Sequence, residues 1–196
     1  MGTSVTVTNA AEIKNELTPN PLYSGPEHIV VRIVPKRFGT EDYDGVWGTL
    51  GDLAASAKSV RTLHIVRVPT SANADVYVKK FVEFPALEVL ILDAARQLDA
   101  KMCGALQAVI TQSQSLRTLI ITTQLPRDEA EYAGYTGFQD AVNARGRDKA
   151  PLTVRIIDAE TNMVFSANPS PTEDHYATAR RGAQRVLGGV GTLYTP

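Results

Sequence analysis

Three short apolar frames recur along this chain: Val60-Leu63-Ile65, Leu87-Leu90-Leu92 and Leu116-Leu119-Ile121. Leu63 and Leu90 lie 27 residues apart, and Leu90 and Leu119 lie 29 apart. Within each frame the apolar residues alternate at strand period, while helix-period residues fill the intervals: Leu50, Leu53, Ala54 and Ala57 before the first frame, and Met102, Cys103, Leu106, Val109 and Ile110 before the third. Parallel strands need a crossover of a dozen or more residues, usually a helix. The spacing therefore predicts an α/β fold with a mostly parallel sheet built from stacked strand-helix units.

The rest of the sequence extends that pattern in both directions. Ser4 to Thr8 alternates like a strand, and Asn9 with Glu12 has capping-box spacing for a helix beginning at Ala10 and stopped by Thr18-Pro19-Asn20-Pro21. His28 to Val34 reads as a strand ended by Pro35, and Asp75 as the start of a helix running toward Phe84 and Pro85. Asp99 is placed to cap the helix that carries Cys103. Leu152 to Ile157 makes a sixth strand, and Met163-Val164-Phe165 is expected to return antiparallel beside it. A length of 196 residues suits a single domain, 1–196, with 125–150 a longer helical insertion and 168–196 a C-terminal helix and tail.

The central frames resemble the longer, helix-containing leucine-rich repeats over about residues 47–123. Repeat lengths of 27 and 29 residues fall within the range of that family. Where the family commonly carries Asn or Cys to bond the ascending backbone, this chain has Val68, Ala95 and Gln124. The resemblance implies a parallel sheet with helices on its other side, and exposed strand residues that bind another protein. The residues themselves leave a related open α/β sandwich as the alternative architecture.

If Leu63, Ile65, Leu90, Leu92, Leu119 and Ile121 face the helices, then Thr62, His64, Val66, Val89, Ile91, Thr118, Ile120 and Thr122 face the other way. Val66, Val89, Ile91 and Ile120 are too apolar for an ordinary wet surface, since each forgoes about 1.5–3 kcal/mol of burial if left exposed. A cover is expected: the 125–150 segment, a C-terminal helix carrying Tyr176, Ala179, Ala183, Val186 and Leu187, a partner protein, or a second copy.

Signals for chemistry are sparse by comparison. Three histidines and one cysteine, none at metal-ligand spacing, give no zinc pattern, and no cofactor is expected. Asp93 and Asp158 fall at strand C-terminal ends, where ligands of parallel sheets bind; with Arg96, Arg127 or Arg155 nearby they define the alternative reading, a small-molecule enzyme with a carboxylate-containing site. Helix capping and turn formation are the plainer roles for those carboxylates. The run Arg145, Arg147, Lys149 reads as a solvated helix face, because neighbouring acids offset it.

A near-balance of 20 Lys and Arg against 21 Asp and Glu excludes a general pull toward nucleic acid or an anionic membrane. The opening residues lack a secretion signal's pattern, and a single cysteine agrees with a reducing compartment, so the expected setting is cytoplasmic. Noncovalent protein recognition or scaffolding through His64, Val66, Val89, Ile91, Thr118 and Ile120 is the expected role, with a self-associating structural protein, such as a homodimer, as a further alternative.

Overall fold

The computed structural model describes residues 3–20, 24–32, 43–67, 73–94, 96–125, 129–161 and 164–166. Strands and helices alternate along the chain: β1 (Ser4–Val7), α1 (Ala10–Leu17), β2 (His28–Arg32), α2 (Tyr43–Leu53), β3 (Thr62–Val66), α3 (Ala74–Lys79), β4 (Val89–Asp93), α4 (Ala100–Gln112), β5 (Thr118–Thr123), α5 (Glu129–Asn143), β6 (Thr153–Asp158) and β7 (Val164–Ser166). Spatial order equals chain order, from β1 at one edge to β7 at the other. The first six strands are mutually parallel, and β7 turns back antiparallel beside β6 as Met163-Val164-Phe165 suggested.

That order has a consequence for the layers. Right-handed crossovers that always step to the next strand in one direction leave every helix on the same side of the sheet. The helices accordingly form one row, with α1 on α2, α2 on α3, α3 on α4 and α4 on α5. The 125–150 segment is thus no cover for the second sheet face. Its helix α5 takes the place in the row that the β5-to-β6 crossover requires. The predicted C-terminal helix lies outside the described residues.

Local chemistry sets the helix boundaries. Asn9 Oδ1 accepts from the Glu12 amide at 3.0 Å, while the Glu12 carboxylate reaches back to the Thr8 amide at 2.6 Å and the Thr8 hydroxyl at 3.0 Å. This is a capping box displaced by one residue, and the Thr8 bonds draw the Glu12 carboxyl below its ordinary range. Asp99 caps α4 through the Met102 amide at 2.8 Å. Helix α3 departs from expectation: it starts at Ala74, with Asp75 in its first turn, and after Lys79 the backbone tightens into a 3-10 turn, Lys80–Glu83. Val76, Val78 and Val82 are β-branched and favour α-helix weakly, which agrees with so short a run.

Between sheet and helices lies the core. Leu63, Ile65, Leu90, Leu92, Leu119 and Ile121 are fully buried there, with Trp47, Phe81 and Phe84 against them. The Trp47 and Phe81 ring centroids are 6.2 Å apart, and Phe81 meets Phe84 edge-on at 5.6 Å. Toward the β6 end, Tyr135 enters from α5 and its hydroxyl accepts from the Leu98 amide at 3.1 Å, 3.3 Å from the hydroxyl of Thr123. Thr123 continues the helix-facing register of Leu119 and Ile121, so α5 is fixed to the same side as the other helices.

Arg145 fastens that end of the row. Its guanidinium donates to the carbonyls of Ile110, Leu116 (2.9 Å) and Ala150 (3.0 Å), and Lys149 donates to the Thr111 carbonyl. Ile110 and Thr111 are in the last turn of α4, whose carbonyls lack intrahelical partners and carry the negative end of the helix dipole. The basic run read as a solvated face therefore holds two cations bound to backbone.

Candidate functional site: the open sheet face

On the side away from the helices, strand register arranges the alternate residues in three rows. The middle row runs Thr6, Val30, His64, Ile91, Ile120, Arg155 from β1 to β6. On its N-terminal side lies the row Ser4, His28, Thr62, Val89, Thr118, Thr153, and on its C-terminal side the row Arg32, Val66, Asp93, Thr122, Ile157. Ser4, Thr6, Arg32 and Arg155 are exposed, whereas every member of the rows on β3, β4 and β5 is half-buried.

The apolar members are contiguous. Val66, Val89, Ile91 and Ile120 occupy neighbouring positions on β3, β4 and β5, with Val30 and Ile157 on the flanking strands. Around them stand the half-buried Thr62, Thr118 and Thr122, each carrying a methyl and a hydroxyl group, and then the charged Arg32, Asp93 and Arg155. No helix covers this face among the described residues, since all five belong to the single row on the opposite side.

His64 sits inside this arrangement, one register step from both Arg32 and Asp93. Desolvation pushes its pKa down, Asp93 opposes that shift, and Arg32 adds to it. The imidazole is thus held neutral where a fully solvated one would begin to charge.

The remaining candidates are scattered. Asp93 points to the open face, but Asp158 is in register with Thr123 and takes the helix-side alternation. Its carboxylate closes a turn, accepting from the Thr161 hydroxyl at 2.6 Å and, at 3.4 Å, from the amides of Leu125 and Glu160. Asp93 and Asp158 are therefore on opposite sides of the sheet and two strands apart. Arg96 is exposed, and its carbonyl accepts from Thr123 Oγ1 at 2.9 Å; Arg127 lies outside the described residues. Gln124 bonds Glu160 rather than an ascending backbone.

Cys103 is buried in α4 on the helix side, across the sheet from His64, and burial pushes its thiol up to about 12. A thiol so placed is a packing group, not a nucleophile. His28 begins β2 on the open face, and His175 lies outside the described residues. Among the described residues no three His, Cys, Asp or Glu side chains come together to hold a metal ion, and no helix is long and apolar enough to cross a membrane. A shallow cavity of about 350 Å³ opens at the opposite, N-terminal end of the strands, between the end of α1 and Ser56–Ser59, and includes none of the candidate residues.

Sequence reasoning missed one arrangement beside this face. Glu27, Arg61, Glu88 and Arg117 immediately precede β2, β3, β4 and β5; the carbonyls of Glu27, Arg61 and Glu88 each receive two amides from the next strand's start, and that of Arg117 receives the Thr153 amide. Their charges alternate across the sheet, and Arg61 pairs with Glu88 at 2.5 Å. The signal was present in the sequence as one charge of alternating sign before each apolar frame. Comparison with models of protein families, with curated proteins and with solved structures gives no match for the chain.

Proposed function

We propose that this chain is a noncovalent protein-recognition domain that uses the open face of its sheet, with Val66, Val89, Ile91 and Ile120 as the buried centre of the contact and His64, Thr118, Thr122, Arg32 and Asp93 orienting it at the rim. The observation that carries the reading is an apolar island on the central strands of a face without a helix layer among the described residues, ringed by hydroxyl and charged side chains. Contact surfaces have this composition, with apolar area at the centre and polar groups at the edge. The resemblance of the sequence over about residues 47–123 to leucine-rich repeats points the same way, since that family presents strand residues to protein partners.

The test uses three chains: wild type, Ile91→Asp on the open face, and Val76→Asp on the helix side, where Val76 is exposed. All three are expected to unfold cooperatively. A protein partner retained by wild type and Val76→Asp but lost by Ile91→Asp is the expected result. Equal retention by all three would refute the assignment of the face. Self-association is read from the mass in solution across a concentration series; a dimer dispersed by Ile91→Asp alone would make the partner a second copy.

A further inference from the structure

The residues that open each central strand break its alternation in the same way. Val60 and Leu63 are both buried in the core, as are Leu87 and Leu90, and Leu116 and Leu119. The members of each pair stand three positions apart, not the two of a regular strand, so both residues between them turn away from the helices. The amides follow: Arg61 and Thr62 both donate to the Glu27 carbonyl, Glu88 and Val89 to that of Arg61, and Arg117 and Thr118 to that of Glu88. At β2 the buried Pro26 and Ile29 bracket Glu27 and His28, whose amides share the Thr3 carbonyl. Strand β6 instead enters regularly, with Leu152, Val154 and Ile156 buried in alternation. Glu27, Arg61, Glu88 and Arg117 therefore add a fourth row to the open face at its N-terminal margin. Its charges run negative, positive, negative, positive, and the corresponding places on β1 and β6 hold the uncharged Thr3 and Leu152.

A row of this kind complements its own reverse. Laid against a copy in the same strand order, like charges would meet. With the order reversed, Glu27 of each copy meets Arg117 of the other, and Arg61 meets Glu88. A two-fold axis parallel to the strands, between β3 and β4, produces that reversal and turns the two open faces toward each other. The same operation sets Val30 opposite Ile120 and His64 opposite Ile91, and brings Asp93 of each copy over β3 of the other, one strand from its Arg32. Nowhere in the array on β2 to β5 does a charge then face its own sign. Facing sheets pack about 10 Å apart, a gap that Arg and Glu side chains reaching from opposite sides can bridge.

From this self-complementarity we propose that the partner of the open face is a second copy of the chain, docked face to face about that axis with Glu27 against Arg117 and Arg61 against Glu88. The inference rests on the reading of that face as a contact surface and names its occupant. Val30, Val66, Val89, Ile91 and Ile120 supply the apolar burial, and the charged row fixes which strand lies over which.

Coupling between Glu27 and Arg117 isolates the second copy, because within one chain they stand at β2 and β5, three strand intervals or about 14 Å apart. Sedimentation equilibrium of the full chain over a concentration series, with each variant checked for cooperative unfolding, measures the dimer. Wild type is expected to dimerise with a Kd that rises with added salt. Glu27→Arg and Arg117→Glu each create two like-charge pairs in the dimer, and each is expected to raise Kd about tenfold. An equimolar mixture of these two variants opposes every charge to its opposite and is expected to return Kd to near the wild-type value. Ile91→Asp, in the middle of the face, should disperse the dimer. A wild type that is monomeric at every concentration overturns the proposal. So does a dimer whose Kd neither swap changes, one that mixing does not restore, or one that Ile91→Asp leaves intact. A monomeric wild type that binds a protein partner lost in Ile91→Asp defeats the second copy alone, whereas partner binding that survives Ile91→Asp defeats the contact reading itself.

Discussion

Leu90 and Ile91 are adjacent on β4, yet one is fully buried beneath the helices and the other half-buried on a face that no described helix covers. The same split runs through β3, where Leu63 and Ile65 alternate with Thr62, His64 and Val66, and through β5, where Leu119 and Ile121 alternate with Thr118, Ile120 and Thr122. A sheet wet on one side ordinarily shows apolar residues inward and polar ones outward, whereas parallel strands buried on both sides read as continuous apolar runs. This sheet does neither throughout. At its flanks the open side carries Thr6, Arg32 and Arg155, but at its centre it carries Val89, Ile91 and Ile120. The departure is densest on the three central strands, continues to Val30 and Ile157 beside them, and ends at Thr6, Arg32 and Arg155, so the patch has the boundary that the proposed contact surface requires.

Neighbouring truncations offer the sharpest way to break this contrast. Leu90→Ala is expected to cost about 2–5 kcal/mol, because it removes a side chain enclosed on all sides and leaves a cavity beneath the helix row. Ile91→Ala, which loses only partly sequestered area, is expected to cost about 1 kcal/mol. Urea unfolding of the two variants measures both at once. Losses of equal size would mean that the open face is packed as closely as the helix side, and the distinction between the faces would disappear.

The strands and their inward residues were legible because alternation is a local property of the sequence: Leu63-Ile65, Leu90-Leu92 and Leu119-Ile121 announce their own register. The caps at Asn9 and Asp99 were legible for the same reason, since each bond spans only three residues. Side chains whose partners are distant in sequence were not. Arg145 stood in a basic run with acidic neighbours and gave no hint of the carbonyls of Ile110 and Leu116, 35 and 29 residues earlier. Asp158 looked equivalent to Asp93, as each ends a strand; the β6 register, which turns them to opposite sides, depends on the length of the α5 crossover.

Two arginines carry the comparison of faces from apolar to charged groups. Arg145 is half-buried among backbone carbonyls, and desolvation draws its pKa down. Arg145→Ala is expected to cost about 1–3 kcal/mol, the range for hydrogen bonds made by a charged group and left without their donor. Arg145→Lys should recover part of that, as an ammonium cannot reach three divergent carbonyls at once. Arg155→Ala, on the exposed margin of the open face, should stay within about 0.5 kcal/mol of wild type. Thermal unfolding of the three variants decides the matter. A costly Arg155→Ala beside a neutral Arg145→Ala would reverse the roles given to them.

The smallest expected effect is the one most specific to the open face. Because desolvation holds the His64 pKa below its usual 6.5, the unfolded chain takes up a proton at His64 as pH falls through 6.5 while the folded chain resists it. The unfolded state then binds more protons, so this residue's contribution to stability is intact above pH 6.5 and is lost progressively as pH falls toward the lower folded value. Urea midpoints at pH 7.5 and 5.5 should therefore fall further for wild type than for His64→Asn, with the titration of all other groups common to both chains. Asp93→Asn should enlarge the loss, since Asp93 favours the charged imidazole, and Arg32→Gln should reduce it, since Arg32 opposes that charge. Parallel pH curves for wild type and His64→Asn would show that His64 is solvated alike in the folded and unfolded chains, and the open face would then be wetter at its centre than its rows of Val and Ile imply.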